Sequence, residues 1–221
     1  MPEIEIVRTN RKSMSLKIGS GGKLIFRVPA NIDDGTIRKI LAKNSAWINK
    51  KSDELAKEHQ LFRAKEYVNG EGFPYLGAYY KLKVVDKQDL PIKFDRGFFI
   101  SNKALPEARE LIINWYKDAA RLKIPERVRW YAQKRRLSFN KVNITDSRKR
   151  LASCSPSGNL NFSWRLIMAP LGVIDYAVVH ELIHLVEKNH TKEFWVKIKL
   201  MLPDYEKYKE WLKKNGYLLN I

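Results

Sequence analysis

Residues 173–190 read Val173-Ile174-Asp175-Tyr176-Ala177-Val178-Val179-His180-Glu181-Leu182-Ile183-His184-Leu185-Val186-Glu187-Lys188-Asn189-His190. On a helical wheel, Ile174, Val178, Val179, Leu182, Ile183, Leu185 and Val186 cover much more than half of the circumference. A helix that is apolar on most sides is a buried helix. The narrow stripe that remains carries His180, His184, Tyr176 and Glu187. The spacing therefore predicts a helix over 173–188 whose histidines face a cleft or a bound ion rather than open solvent.

His180 and His184 stand four residues apart, about 40° in azimuth on a helix, so both imidazoles point the same way one turn apart. Two imidazoles so placed can grip one Zn2+ at about 2.0–2.1 Å each. Glu181 lies about 100° round from His180, beside such a metal rather than on it, where it can take a proton from a metal-bound water. Asn189 tolerates the left-handed conformation that ends helices, and a turn there folds His190 back toward the first two ligands. Three protein ligands leave the fourth tetrahedral position for water, the arrangement of a catalytic zinc. The competing reading makes these core histidines satisfied by hydrogen bonds. It explains less, because a third histidine follows HExxH at a distance suited to the same ion.

Upstream, Glu3–Thr9, Ser13–Ile18 and Lys23–Val28 alternate apolar and polar residues and read as strands, with a hairpin signal at Ser20-Gly21-Gly22 and a stop at Pro29. Asp33 or Asp34 caps a helix carrying Ile37, Ile40, Leu41, Trp47 and Ile48, with Lys50 and Lys51 toward solvent, running to about His59. Tyr67–Gly70, Tyr75–Val85 and Ile92–Ile100 form a second group of strands. Leu105 to about Leu137 reads as helix, divided or kinked at Pro125. Its Trp115, Tyr116, Trp130 and Tyr131 fall within the apolar pattern and are assigned to the core. Val142–Thr145 and Asn159–Phe162 are strands around a turn at Ser155–Gly158, and helices follow at Trp164–Met168, Lys192–Leu202 and Asp204–Lys214. The class is α+β: a β-rich N-terminal domain with a helix, residues 1–102, then a largely helical domain with a small antiparallel sheet, residues 103–221, with the seam near Ser101–Leu105.

The 221 residues are 44% hydrophobic and 11% aromatic, which excludes a disordered or low-complexity chain. Apolar runs fall short of the roughly 20 residues that cross a bilayer, and Met1–Glu5 shows no signal-peptide pattern. The single cysteine, Cys154, excludes an internal disulfide framework. A soluble, cytoplasmic protein with no membrane partner is expected. The net charge is +18, and Arg121–Arg150 alone carries eleven basic residues against two acidic ones. Such a segment is a solvated face, a track for a nucleic-acid backbone, or a surface for acidic proteins.

Asp175–His184, then Asn189-His190-Thr191-Lys192-Glu193-Phe194-Trp195 and Pro203-Asp204-Tyr205, resemble the YgjP-like metallopeptidase family, which is akin to SprT-like and WLM-type zinc proteases. Arg11–Leu16 resembles the family's opening strand and Trp47-Ile48 its first helix. The resemblance spans most of the chain. It implies a minimal zincin-like metallopeptidase domain after the N-terminal α+β domain, with Zn2+ held by His180, His184 and His190 and with Glu181 as base. It also suggests a protease recruited to proteins bound on DNA. Where the family carries Arg-Trp-Gly-Ser-Cys, this chain has Arg150-Leu151-Ala152-Ser153-Cys154. The pocket shape is expected to differ there, and the ligands are unaffected.

The expected activity is therefore zinc-dependent hydrolysis of peptide bonds in a protein or peptide substrate, with Tyr176, Arg150 or a backbone amide supporting the site. Two alternatives share the metal: hydrolysis of nucleotides or other phosphoanhydrides, and nucleic-acid binding with an ancillary metal. The first lacks a Gly-rich phosphate loop and an Asp-rich Mg2+ cluster. Cys154 reads best as a small residue beside the site, ahead of a thiolate nucleophile or a fourth ligand.

Overall fold

Alternation in the first residues produces three strands, β1 (Ile4–Thr9), β2 (Ser15–Ile18) and β3 (Leu24–Pro29). β3 lies between the other two, parallel to β1 and antiparallel to β2. The computed structural model describes residues 4–10, 13–18, 24–49, 65–148, 150–219 and 221. The hairpin turn expected at Ser20–Gly22, and Arg11, Lys12 and Lys149, lie outside these residues, as do Lys50, Lys51 and the extension to His59. α1 (Asp34–Lys43) starts where expected, because the Asp33 carboxylate accepts from the Thr36 backbone N–H at 2.8 Å. Helix resumes at 45–49, with Trp47 and Ile48 in it. Phe26, Val28 and Ile37 are buried together, with Ile4, Leu16, Ile32, Ile40 and Leu41 packed around them. Arg8 fixes the turn between β3 and α1, donating to the Ile32 carbonyl and pairing with Asp34, both at 2.6 Å.

The chain divides into two compact units, Met1–Ala64 and Lys65–Ile221. The second opens with a four-stranded sheet in the order β4 (Gly72–Tyr75), β5 (Ala78–Val85), β7 (Phe98–Ser101), β6 (Ile92–Phe94). A 3-10 segment, Asn102–Glu107, leads into α2 (Ala108–Arg135). The seam expected at Ser101–Leu105 instead falls inside this unit. At the tip of the β4–β5 hairpin, the Leu76 and Gly77 N–H groups donate to the Ile167 and Met168 carbonyls. Gly77 has φ of +84°, and a Cβ there would stand 2.8 Å from Pro170 Cα, so only glycine lets the two segments approach this closely. Rings from both sides of the expected seam also pack together: Trp115 lies 4.7 Å from Phe98 and 4.8 Å from Phe94 between ring centres.

α2 runs 28 residues without a break and contains Pro125, so the expected division does not occur. Ile124 and Val128 on either side of the proline are fully buried, and packing of that face holds the helix through the missing N–H. Arg136 closes it in the left-handed conformation, φ 51°. Trp115 is half-buried and Tyr116 and Tyr131 are buried, as expected, whereas Trp130 is 41% exposed, with Lys134 3.6 Å and Arg127 4.7 Å from its ring.

The second sheet of this unit has the order β8 (Lys141–Thr145), β10 (Asn159–Ser163), β9 (Ala152–Cys154). β9 and β10 are antiparallel across the Ser155–Gly158 turn, and β8 lies parallel to β10, which makes this sheet mixed. β9 is an outer strand. After a 3-10 turn at Trp164–Met168 come α3 (Leu171–Ile183), α4 (Lys192–Met201) and α5 (Tyr205–Asn215). The molecule is thus of the α+β class. No helix among the described residues is long and apolar enough to cross a membrane.

Candidate metal centre

α3 is the apolar helix of the central motif, and Val173, Ile174, Val178, Val179, Leu182 and Ile183 are buried on it. It ends at Ile183, five residues before the expected end. Leu185 and Val186 donate to the Leu182 and Ile183 carbonyls instead, i to i+3 bonds that tighten the last turn. His184 caps the helix in right-handed geometry (φ −63°, ψ −13°), so it keeps its helical phase relative to His180. Asn189 is not left-handed. The chain returns because the early helix end lets residues 187–190 run back without helical structure. Thr191 then starts α4 by accepting from the Phe194 N–H.

That return brings one nitrogen of each of His180, His184 and His190 within 4.8 Å of one another. The His180 and His190 Nε2 atoms are 3.0 Å apart. A tetrahedral ion with bonds of about 2.0–2.1 Å requires its ligands about 3.4 Å apart, so this set fits a single small cation. His184 Nδ1 lies 2.9 Å from the Glu187 carbonyl oxygen. Because a carbonyl only accepts, Nδ1 carries the hydrogen, and Nε2 is the nitrogen that the neutral ring would offer to a metal. Burial, then the neighbouring His184 and His190, push the His180 pKa down to about 3. Burial, then His184 and Lys209, lower that of His190. Neutral imidazole is the form that binds a metal. His180 Nδ1 is buried and makes no hydrogen bond.

Phe194, fully buried, packs under all three rings at 5.0, 4.7 and 4.7 Å from His180, His184 and His190. Trp195 stacks on His190 at 5.8 Å, Tyr205 on Trp195 at 5.6 Å, and Tyr176 on Tyr205 at 6.4 Å. Tyr176 also meets His180 edge-on at 5.8 Å, so the structure brings this expected site residue to the centre. Burial pushes its phenol up to about 12, and it stays neutral.

Glu181 is 6% exposed. Burial pushes its carboxyl up to about 7, while a hydrogen bond from the Cys154 backbone and the charge of Arg150 pull the other way. Arg150 is exposed and reaches the site through this electrostatic effect. A cleft of about 230 Å³ opens beside the histidines, lined by Cys154, Ser155, Pro156, His184, Lys188 and His190. The Cys154 thiol lines this cleft and is raised in pKa by burial, which disfavours a thiolate. Its sulfur is not one of the converging ligand atoms.

The basic segment Arg121–Arg150 is spread over helix, strand and loop. Arg121 pairs with Asp118 at 2.7 Å and Lys123 with Glu126 at 2.8 Å. Arg135 donates to the Leu200 carbonyl. Arg127 makes a two-point ion pair with the buried Asp175 of α3, at 2.6 and 2.8 Å, which braces the histidine helix against α2. That brace, Phe194 and the Trp195–Tyr205 stack were not read from the sequence. Asp175 was the available signal, a carboxylate standing within an otherwise apolar helix.

No curated protein and no solved structure shows significant similarity to the chain. The sequence profile of the YgjP-like metallopeptidase domain matches residues 12–215, nearly the whole length. The chain belongs to the YgjP-like metallopeptidase family.

Proposed function

We propose that this protein is a zinc-dependent peptidase whose metal is held by His180, His184 and His190 and whose general base is Glu181. The observation that carries the reading is the convergence of the three imidazole nitrogens within 4.8 Å, with Glu181 buried at the next position along the helix. A three-imidazole donor set suits zinc better than a hard cation. Zinc bound there supplies a Lewis acid for the scissile carbonyl and lowers the pKa of a water toward about 7. Glu181 accepts the proton of the attacking water and delivers it to the leaving amine, and its raised pKa suits both halves of that transfer. Arg150, whose charge reaches Glu181, stabilises the developing oxyanion. Tyr176 holds His180 in place through its ring edge. An extended peptide lying along the outer strand β9 presents its carbonyl to the histidines.

The test combines zinc content with turnover. Wild-type protein and Glu181→Gln are expected to carry about one zinc per chain, and His184→Ala to lose it. Peptide hydrolysis is expected to fall at least a hundredfold in Glu181→Gln, in line with the loss of a general base. Full activity in that variant would sink the mechanism, and a zinc-loaded His184→Ala protein would sink the ligand assignment.

A further inference from the structure

The charged groups that act on the cleft are one buried carboxylate, Glu181, and a set of cations. Lys188 is the one lysine or arginine that lines it. Among the described residues, neither Lys188 nor Arg150 forms an ion pair with a carboxylate. The Cys154 thiol, which also lines the cleft, is raised by burial and then by Glu181, and Lys188 acts on it in the opposite direction. Lys209 sits 3.7 Å from the Trp195 ring, and its charge reaches both His180 and His190. Arg150 reaches Glu181. The acidic groups nearby are withdrawn: Glu181 is buried, and Glu187 is held by Lys197. A substrate entering here therefore meets Lys188 on the cleft lining, and among the described residues its ammonium has no carboxylate partner.

We infer that the cleft selects peptides carrying an aspartate or glutamate beside the scissile bond, with Lys188 as the specificity-determining residue that receives the carboxylate. This rests on the peptidase reading for the bond that is cut, but not for the binding preference, which is a property of the cleft itself. An ammonium lining a partly enclosed cleft makes a charge-assisted hydrogen bond to a carboxylate, and neutral side chains cannot replace that bond. The protein's net charge of +18 attracts any polyanion. What separates the cleft from that general attraction is position, because only one or two places along a bound peptide can reach Lys188.

The experiment scans a single glutamate through a blocked, alanine-based decapeptide and uses two readouts. Glu181→Gln protein is titrated by calorimetry, and zinc-loaded wild-type protein is assayed for cleavage. Glutamate at one or two adjacent positions is expected to improve both affinity and kcat/KM about tenfold over the alanine parent, the size of one hydrogen bond to a charged group. Lys188→Ala should erase that ratio, Lys188→Glu should invert it, and Lys188→Arg should keep it. A glutamate effect equal at all positions, or one that survives Lys188→Ala, overturns the inference whatever the cleavage assay gives. A position-specific, Lys188-dependent binding preference without any cleavage upholds the inference and overturns the peptidase reading instead.

Discussion

At the scale of single residues, the histidines are held by aromatic rings more than by hydrogen bonds. His184 has its Nδ1 contact to the Glu187 carbonyl, whereas His190 comes from an exposed, non-helical stretch and is oriented by the Phe194 and Trp195 rings. Trp195 is itself pinned between Tyr205 and the Lys209 ammonium. An aromatic pair contributes about 0.5–1.5 kcal/mol beyond its burial. Trp195→Ala is therefore expected to weaken zinc binding about three- to tenfold in competition with a chelating dye, and Trp195→Phe to restore most of it. Equal affinities in all three proteins would show that His190 needs no such support. The same residues mark what the sequence discloses. HExxH is legible because the helix converts a spacing of four into a shared direction, and His190 is legible as a third ligand type nearby. Phe194 and Trp195 stand in the quoted stretch, but their role depends on a return of the chain that follows from the helix ending at Ile183. Spacing alone placed that end near Asn189.

At the scale of elements, α2 is the support for α3, and its buried tyrosines give it a pH signature. The Tyr116 hydroxyl donates to the Pro74 carbonyl at 2.6 Å inside the core, and burial holds its phenol well above the usual value of about 10. Burial, with Asp175 as the next cause, pushes Tyr131 up to about 12. A folded pKa above the unfolded one means that the native state keeps protons that the unfolded chain releases. This contribution is complete below about pH 10 and is lost as pH rises from there through 12. The urea midpoint is thus expected to be level to about pH 9 and to fall between pH 10 and 12, with a shallower fall in Tyr131→Phe. Parallel curves for the two proteins would mean that Tyr131 ionises as freely when folded as when unfolded. The helix itself was legible from its apolar repeat. At Pro125 the sequence left division and a kink both open, and division is ruled out because the burial of Ile124 and Val128 carries the helix past the proline. Trp130 was misread for the opposite reason: an aromatic in an apolar pattern is drawn to the surface by two cations on its ring.

At the scale of the whole molecule, every residue assigned to the centre, from Arg150 to Lys209, lies in the second unit, whose core cluster is built entirely from residues between Tyr67 and Ile221. The seam was misplaced in the sequence because a β-rich stretch followed by helices looks like two domains. What joins them is a hairpin tip bonded to residues 167 and 168, far along the chain and invisible to local patterning. The family match, by contrast, extends over both units, from residue 12 to residue 215. If the metal centre is a property of the second unit alone, a fragment of residues 65–221 is expected to fold and to bind about one zinc. A ligand that binds only the folded state at a hundred times its Kd stabilises by about 2.7 kcal/mol. For a unit of this size that corresponds to a rise in Tm of roughly 5–10 °C, reversed by a chelator and absent in the fragment bearing His184→Ala. A fragment that melts at the same temperature with and without zinc, while the full chain responds, would sink the assignment of the metal centre to the second unit alone.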